Sequence, residues 1–186
     1  MDSPQRQEDI TSHPNNPPPT PPTVPMSTIK IATLNINDMT ARTSVEMLAH
    51  FIPQHDFDII SAQEVTITGV LNVRGYNTRL NIGASIRGKA ILAKSTLLLA
   101  NITTLTSRRA IAADCNGTRL INLCTPSGTA RRADREHFYT TELPYLLHDR
   151  TTDLLTGGDF NCGLHPSDTT GHFQPSRTLS EMIRGL

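Results

Sequence analysis

A carboxylate and an amide stand two residues apart in the stretch TGGDFN at positions 156–161, as Asp159 and Asn161. The residues just before them, 152–155, are partly apolar and predict a short strand, which the two glycines would end with a turn. Residues i and i+2 of an extended segment point to the same side, so both polar groups would face one site, with Phe160 pointing back into the protein. Strand ends are where sheet-based enzymes tend to place their chemistry. For this stretch alone, a purely structural Asx turn is the competing interpretation.

Two further polar side chains follow predicted strands. Asn35 comes after a strand over 28–34 and Glu64 after a strand over 58–62, and either one alone is usually a turn or solvated residue. Mg²⁺ takes a few protein oxygen ligands together with water and phosphate oxygens, which suits an amide and a carboxylate of this kind. Asp159 could orient or deprotonate an attacking water, and Asn161 could donate a hydrogen bond to a phosphate oxygen. Together the four residues predict metal-assisted chemistry on a phosphodiester.

The middle of the chain is predicted to be a series of β-strands. Asn116-Gly117, between two apolar runs, is typical of a type I′ hairpin turn. The predicted strands cover 76–80, 90–93, 97–105, 111–114 and 119–124.

Helices are predicted on both sides of this β region. One covers 43–52, with a capping box formed by Thr43 and Glu46 and with Pro53 closing it. A polar helix covers 131–143, and Pro144 either stops it or begins a short extra turn. A loop over 165–174 and a last helix that begins at Ser176 or Thr178 follow. Strands that alternate with helices in this way favour an α/β domain.

Length and composition allow one domain with a real core, preceded by an arm. The chain has 186 residues, and its first 27 carry eight of the 13 prolines and almost nothing to bury. We therefore expect residues 1–27 to form a disordered, proline-rich arm and residues 28–186 to form the folded domain. The formal net charge is zero, which is no strong electrostatic footprint for nucleic acid, although a metal can hold a phosphate instead.

The three cysteines, Cys115, Cys124 and Cys162, lack metal-binding spacing and fit a reducing compartment. The amino terminus is polar and does not resemble a signal peptide, and no apolar run reaches the length of a membrane span. We expect an intracellular protein, nuclear or cytoplasmic, that is not secreted and has no membrane partner. The oligomeric state is left open.

The ordered motifs resemble the endonuclease/exonuclease/phosphatase superfamily, and within it the endonuclease domain of non-LTR (LINE-type) retrotransposons. The resemblance runs from about Thr28 to Leu186. It is carried by six short pieces in order, at 33–37 (TLNIN), 58–64 (DIISAQE), 87–92 (RGKAIL), 121–128 (INLCTPSG), 142–147 (ELPYLL) and 157–161 (GGDFN).

The resemblance implies a DNase I-like fold, a two-sheet, four-layer α/β sandwich with its site at one end. It also implies an endonuclease that nicks DNA by hydrolysis with Mg²⁺, or with Mn²⁺ as an alternative. By match of position, Asn35 and Glu64 would bind the metal. Asp159 and Asn161 would be the catalytic pair that activates water and binds phosphate.

The sequence departs from the family pattern in two ways. Cys124 stands where family members usually have a tyrosine, and the family's closing Ser-Asp-His motif does not occur. Neither His165 nor His172 is carried over as a replacement for its histidine. We therefore expect a C-terminally truncated copy, poorly active and marginally stable. An inactive remnant, a binding module and a phosphatase of the same fold are the alternatives.

Overall fold

The computed structural model describes residues 28–36, 41–65, 72–83, 86–147 and 153–162. The predicted proline-rich arm, the predicted loop over 165–174 and the predicted last helix lie outside the described residues. None of the helices in the described part of the chain has the length and apolar character that a membrane span requires.

In the described part of the chain, eight strands form two four-stranded sheets. In chain order the strands are β1 (Ile31–Asn35), β2 (Ile59–Val65), β3 (Tyr76–Gly83), β4 (Ile86–Lys94), β5 (Ala100–Thr104), β6 (Ala110–Cys115), β7 (Thr118–Cys124) and β8 (Asp153–Asp159). The first sheet has the order β1-β2-β4-β3 and the second has the order β5-β6-β7-β8. The pairs β1–β2 and β7–β8 are parallel, whereas the other neighbours are antiparallel. Each sheet therefore has one parallel pair at one edge.

Helices cover the outer faces of both sheets. Helix α1 (Ala41–His55) covers the first sheet, and its Leu48 and Ile52 are fully buried against that sheet's outer face. The second sheet is covered by α2 (Arg132–His137), a π-helical turn (Phe138–Glu142) and α3 (Leu143–Leu147). Between the sheets lies a third apolar layer made of Ile59, Ile91, Ala93, Leu99, Ile111, Ala113, Cys115 and Leu120. This is the predicted two-sheet, four-layer α/β sandwich, and it is confirmed.

Helix α1 differs from its prediction at both ends. It begins at Ala41, ahead of the predicted cap at Thr43, and it continues through Pro53 to His55. A proline in the last turn removes only one backbone hydrogen bond, and the helix still closes with the Asp56 amide donating to the Ile52 carbonyl at 3.2 Å. The prediction that Pro53 ends the helix was therefore wrong.

The two glycines Gly157 and Gly158 were predicted to end a strand, but they lie within strand β8. Strand β8 runs through Gly157 and Gly158 to Asp159, so the glycines do not end it with a turn. Gly158 pairs with Leu123 of β7 and has a φ of 133°. A Cβ atom at Gly158 would lie 2.0 Å from the Leu123 carbonyl oxygen, so this glycine is needed for close approach between strands.

Other local predictions are confirmed. Asn116 and Gly117 have φ angles of 49° and 80°, the left-handed pair of a type I′ turn, and they connect the paired residues Cys115 and Thr118. The helical path predicted over 131–143 continues in α3 past Pro144, which fits the predicted extra turn.

Candidate active site

Glu64 reaches the site through an irregularity in β2. It was predicted to follow the strand, but β2 extends to Val65, and its register with β4 shifts between Gln63 and Val65. At this bulge Glu64 has a left-handed φ of 57°. Regular alternation would place Glu64 on the helix side, opposite to Gln63, whereas the bulge directs it into a cleft at the end of the sandwich.

Asn35 lies between Glu64 and Asp159. It is the last residue of β1, and its Nδ2 atom is 3.5 Å from Glu64 Oε1 and 3.5 Å from Asp159 Oδ2. Both distances are at the outer limit of a hydrogen bond. Because the two parallel edge pairs finish at the same end of the sandwich, residues far apart in the chain meet there.

Asn161 reaches the same place by a turn. Its φ is 46°, so the segment is not extended as predicted. Its backbone N–H donates to Asp159 Oδ1 at 3.0 Å, and its side-chain Nδ2 donates to the Thr125 carbonyl at 2.9 Å. Phe160 packs against the helix-covered face of the second sheet, as expected. The structure thus brings together Asn35, Glu64, Asp159 and Asn161, while their individual roles remain predictions.

These residues border an open cleft of about 430 Å³. The cleft is rich in positive charge, because four basic side chains and two carboxylates of the described residues line it. Its lining consists of Glu64, Arg87, Lys89, Arg109, Cys124, Thr125, Ser127, Arg131, Asp159 and Asn161. The four basic residues were missed as site residues from the sequence, although the alternating charges of Arg87-Gly88-Lys89 in a β region were an available signal. A cleft with this charge favours an anionic ligand.

Two of the basic residues have contrasting environments. Arg87 is half exposed and forms an ion pair with Glu64, with Nη1 2.7 Å from Oε2. Lys89 is only 2% exposed, and its Nζ donates to the Arg108 carbonyl at 2.8 Å. Burial lowers the pKa of the Lys89 ammonium, and the nearby Cys124 acts in the opposite direction.

Cys124 lies beside both carboxylates. Its Sγ and the carboxylate oxygens of Glu64 and Asp159 are within 4.8 Å of one another. Burial raises the pKa of this thiol, opposed by the Lys89 ammonium. Two carboxylates with an amide between them fit a hard divalent cation, since a rotated Asn35 amide would present its oxygen to the same point. The thiol is a softer donor than such a cation prefers.

A buried amide network ties the two sheets together beneath the cleft. Asn122 is completely buried, and its Oδ1 accepts from Gln63 Nε2 at 2.6 Å. Its Nδ2 donates to the carbonyls of Ala62 and Ala90 at 2.9 and 2.8 Å. Gln63 immediately precedes Glu64, and Asn122 lies two residues before Cys124, so the network fixes the strands that carry the site.

Solved structures with this architecture define the fold as a DNase I-like α/β sandwich. One is an AP endonuclease from Archaeoglobus fulgidus, with 18% identity and a TM-score of 0.59, covering 77% of this chain and 62% of that one. The AP endonuclease LMAP from Leishmania major has 14% identity and a TM-score of 0.61, covering 88% of this chain and 70% of that one. The mannosyl-6-phosphatase Bt3783 from Bacteroides thetaiotaomicron has 15% identity and a TM-score of 0.51, covering 75% and 68%.

At these identities the likeness shows the fold alone. The chain spans about 62% of the length of the archaeal AP endonuclease. No family model matches the sequence, and no curated protein matches it.

Proposed function

We propose that the protein is a divalent-metal-dependent phosphodiesterase that nicks DNA. The observation that carries this proposal is the meeting of Glu64 and Asp159, from different sheets, across the Asn35 amide at 3.5 Å. Their setting in a cleft with four basic side chains supports a phosphate substrate, because the cleft offers both a cation site and positive charge for the phosphate.

Each site residue then has a role that its contacts support. Glu64 and Asn35 would hold Mg²⁺, with Mn²⁺ as the alternative, and the bound ion would neutralise phosphate charge and acidify water. The Asp159 carboxylate would accept a proton from the attacking water. The Asn161 backbone N–H holds that carboxylate at 3.0 Å, and one side-chain N–H remains for a phosphoryl oxygen after its bond to Thr125.

DNA as the substrate and an origin in a LINE-type retrotransposon rest on the sequence motifs. The two AP endonucleases among the structural neighbours support nucleic acid as the substrate class. An intracellular location, nuclear or cytoplasmic, is supported by three cysteines that form no disulfide. We also propose that residues 28–186 are one domain and that the proline-rich residues 1–27 form a separate arm.

A phosphatase activity is the second candidate, and the mannosyl-6-phosphatase neighbour favours it. The same metal-binding and phosphate-binding residues would act on a phosphomonoester, because hydrolysis at phosphorus needs the same groups in both substrates. A non-catalytic binding module would keep the cleft without turnover.

Nicking of supercoiled plasmid in Mg²⁺ tests the proposal. Glu64→Gln and Asp159→Asn should each lower the nicking rate by about 100-fold or more, because each removes a carboxylate from the reacting centre. Asp153→Asn is the matched control, since Asp153 is an exposed acid at the start of the same strand and does not line the cleft.

Three results would contradict the proposed site or the proposed nuclease activity. Equal nicking by Asp159→Asn and Asp153→Asn would place the chemistry elsewhere. Phosphate release from mannose 6-phosphate without plasmid nicking would favour the phosphatase. Binding of DNA without either reaction would favour the binding module.

A further inference from the structure

Lys89 is a buried cation without an ion pair to any carboxylate of the described residues. Its side chain is 2% exposed, and no carboxylate in the described ranges forms an ion pair with it. Its one hydrogen bond to the described residues goes to the Arg108 carbonyl at 2.8 Å. An ammonium group has three N–H donors, so two remain for another partner. Burial of such a group is unfavourable unless an anion or further acceptors complete its shell.

The surroundings of Lys89 show where that partner would come from. In the first sheet Lys89 pairs with Gln63 on one side and Asn81 on the other, and all three side chains point toward the second sheet. Gln63 and Asn81 make their bonds within the protein, to Asn122 at 2.6 Å and to the Ala110 carbonyl at 2.9 Å. Lys89 is the charged member of the row, and it lines the cleft.

Lys89 also differs from the other lysine of its strand. Lys94 forms ion pairs with Asp56 at 2.7 Å and Asp58 at 2.8 Å, away from the cleft. Arg87, two residues before Lys89, is likewise paired, with Glu64. Among the described residues, Lys89 is therefore the basic residue of β4 without an ion pair, and it lies at the floor of the cleft beside the carboxylates.

We propose that Lys89 is a phosphate-binding residue that donates to a non-bridging oxygen of the substrate phosphoryl group. This inference deepens the proposed function and rests on it. The Arg108 carbonyl and the sheet backbone hold the ammonium in place before substrate arrives, and such preorganised charge is effective in a partly desolvated cleft. The phosphate in turn supplies the ion-pair partner that the described residues do not. The alternative role is a structural tie to the Arg108 carbonyl.

Lysine-selective NMR tests this directly, because the chain has three lysines, Lys30, Lys89 and Lys94. Inorganic phosphate, titrated into the full chain with labelled lysine side chains, should shift the Lys89 signal and leave the Lys94 signal in place. The proposal would be overturned if the highest phosphate concentration produced no shift of the Lys89 signal, or if it shifted all three lysine signals equally. The measurement is made on the wild-type chain, and a substituted chain is needed only to assign each lysine signal.

Two variants separate the binding role from the structural one. Lys89→Gln keeps a donor for the Arg108 carbonyl but loses the charge, and Lys94→Gln is the matched control on the same strand. Phosphate affinity should fall at least tenfold in Lys89→Gln and stay unchanged in Lys94→Gln, with thermal unfolding confirming that both are folded. A folded Lys89→Gln variant with unchanged phosphate affinity would show that Lys89 is only a structural tie.

The two proposals fail in distinguishable ways. If the chain hydrolyses no phosphoester but phosphate still shifts the Lys89 signal, the function is wrong and the phosphate site stands. If the chain nicks plasmid and Lys89→Gln retains the wild-type kcat/KM, the function stands and the role of Lys89 is wrong.

Discussion

Asn122 shows how one buried side chain holds the site strands in place. Its amide satisfies the Ala62 and Ala90 carbonyls and accepts from Gln63, all without solvent contact. Asn122→Leu should lower the free energy of unfolding by about 2–4 kcal/mol, because it takes the shared amide donor away from two buried carbonyls and breaks the bond to Gln63. Urea denaturation measures this loss.

A second substitution separates the network from simple packing. Gln63→Leu removes the facing donor, so the double variant with Asn122→Leu should be more stable than the sum of the two single losses predicts, by about 1 kcal/mol. Strict additivity of the two losses would mean that the 2.6 Å contact between the amides contributes nothing of its own.

At the scale of an element, β8 depends on one glycine and tolerates change at its neighbour. Gly158→Ala should lower the free energy of unfolding by about 2–4 kcal/mol, because the new methyl group would lie 2.0 Å from the Leu123 carbonyl oxygen at a φ of 133°. Gly157→Ala is the control, since its methyl group would meet only Thr33 at 3.8 Å. Equal losses for the two variants in urea titrations would contradict this account of the strand.

The start of β2 is tied to its neighbours by Asp58. Its Oδ2 accepts from the Lys30 backbone N–H at 2.8 Å, and its Oδ1 contacts Lys94 Nζ at 2.8 Å. These contacts, first the backbone donor and then Lys94, hold the pKa of Asp58 below its ordinary value. The stabilisation is therefore present above the unfolded-state pKa of about 3.9 and is lost as pH falls through the lower folded-state pKa.

Asp58→Asn should accordingly lower Tm by about 2 °C at pH 7, since the group is near the surface. The difference from wild type should shrink as the pH is lowered below about 4. In a Lys94→Met background the same substitution should cost less. A difference in Tm that grows toward acid pH would show that the sign is wrong.

The sequence predicted what depends on local pattern and missed what depends on a partner strand. Alternation, turn chemistry and strand ends predicted the strands, the Asn116-Gly117 hairpin and the meeting of Asn35, Glu64, Asp159 and Asn161. The bulge that turns Glu64 into the cleft exists only in the pairing of β2 with β4. Likewise, the sequence Gly157-Gly158 indicates a turn, and only its pairing with β7 shows that it continues a strand.

On the scale of the whole molecule, a neutral chain carries a local excess of positive charge. The formal net charge is zero, yet Arg87, Lys89, Arg109 and Arg131 line one cleft. Long-range attraction of DNA should therefore be weak, and binding should depend on a few contacts at this cleft. Residues 1–27 are rich in proline and poor in apolar side chains, so we expect deletion of residues 1–26 to leave Tm unchanged within about 1 °C. A large drop in a thermal melt would contradict the proposal that they form a separate arm.

Salt dependence of DNA binding measures how many of these contacts form. Each neutralised phosphate contributes about −0.9 to the slope of log affinity against log salt for duplex DNA, so about three contacts predict a slope near −3. Arg131→Gln and Arg109→Gln should each make the slope shallower by about 1, because each removes one cation from the cleft.

Arg79→Gln is the control, since Arg79 lies on β3 and does not line the cleft. Binding to a short duplex, measured without divalent metal to prevent cleavage, gives the slopes. A slope that Arg79→Gln changes as much as Arg131→Gln does would place the DNA on another face of the sandwich.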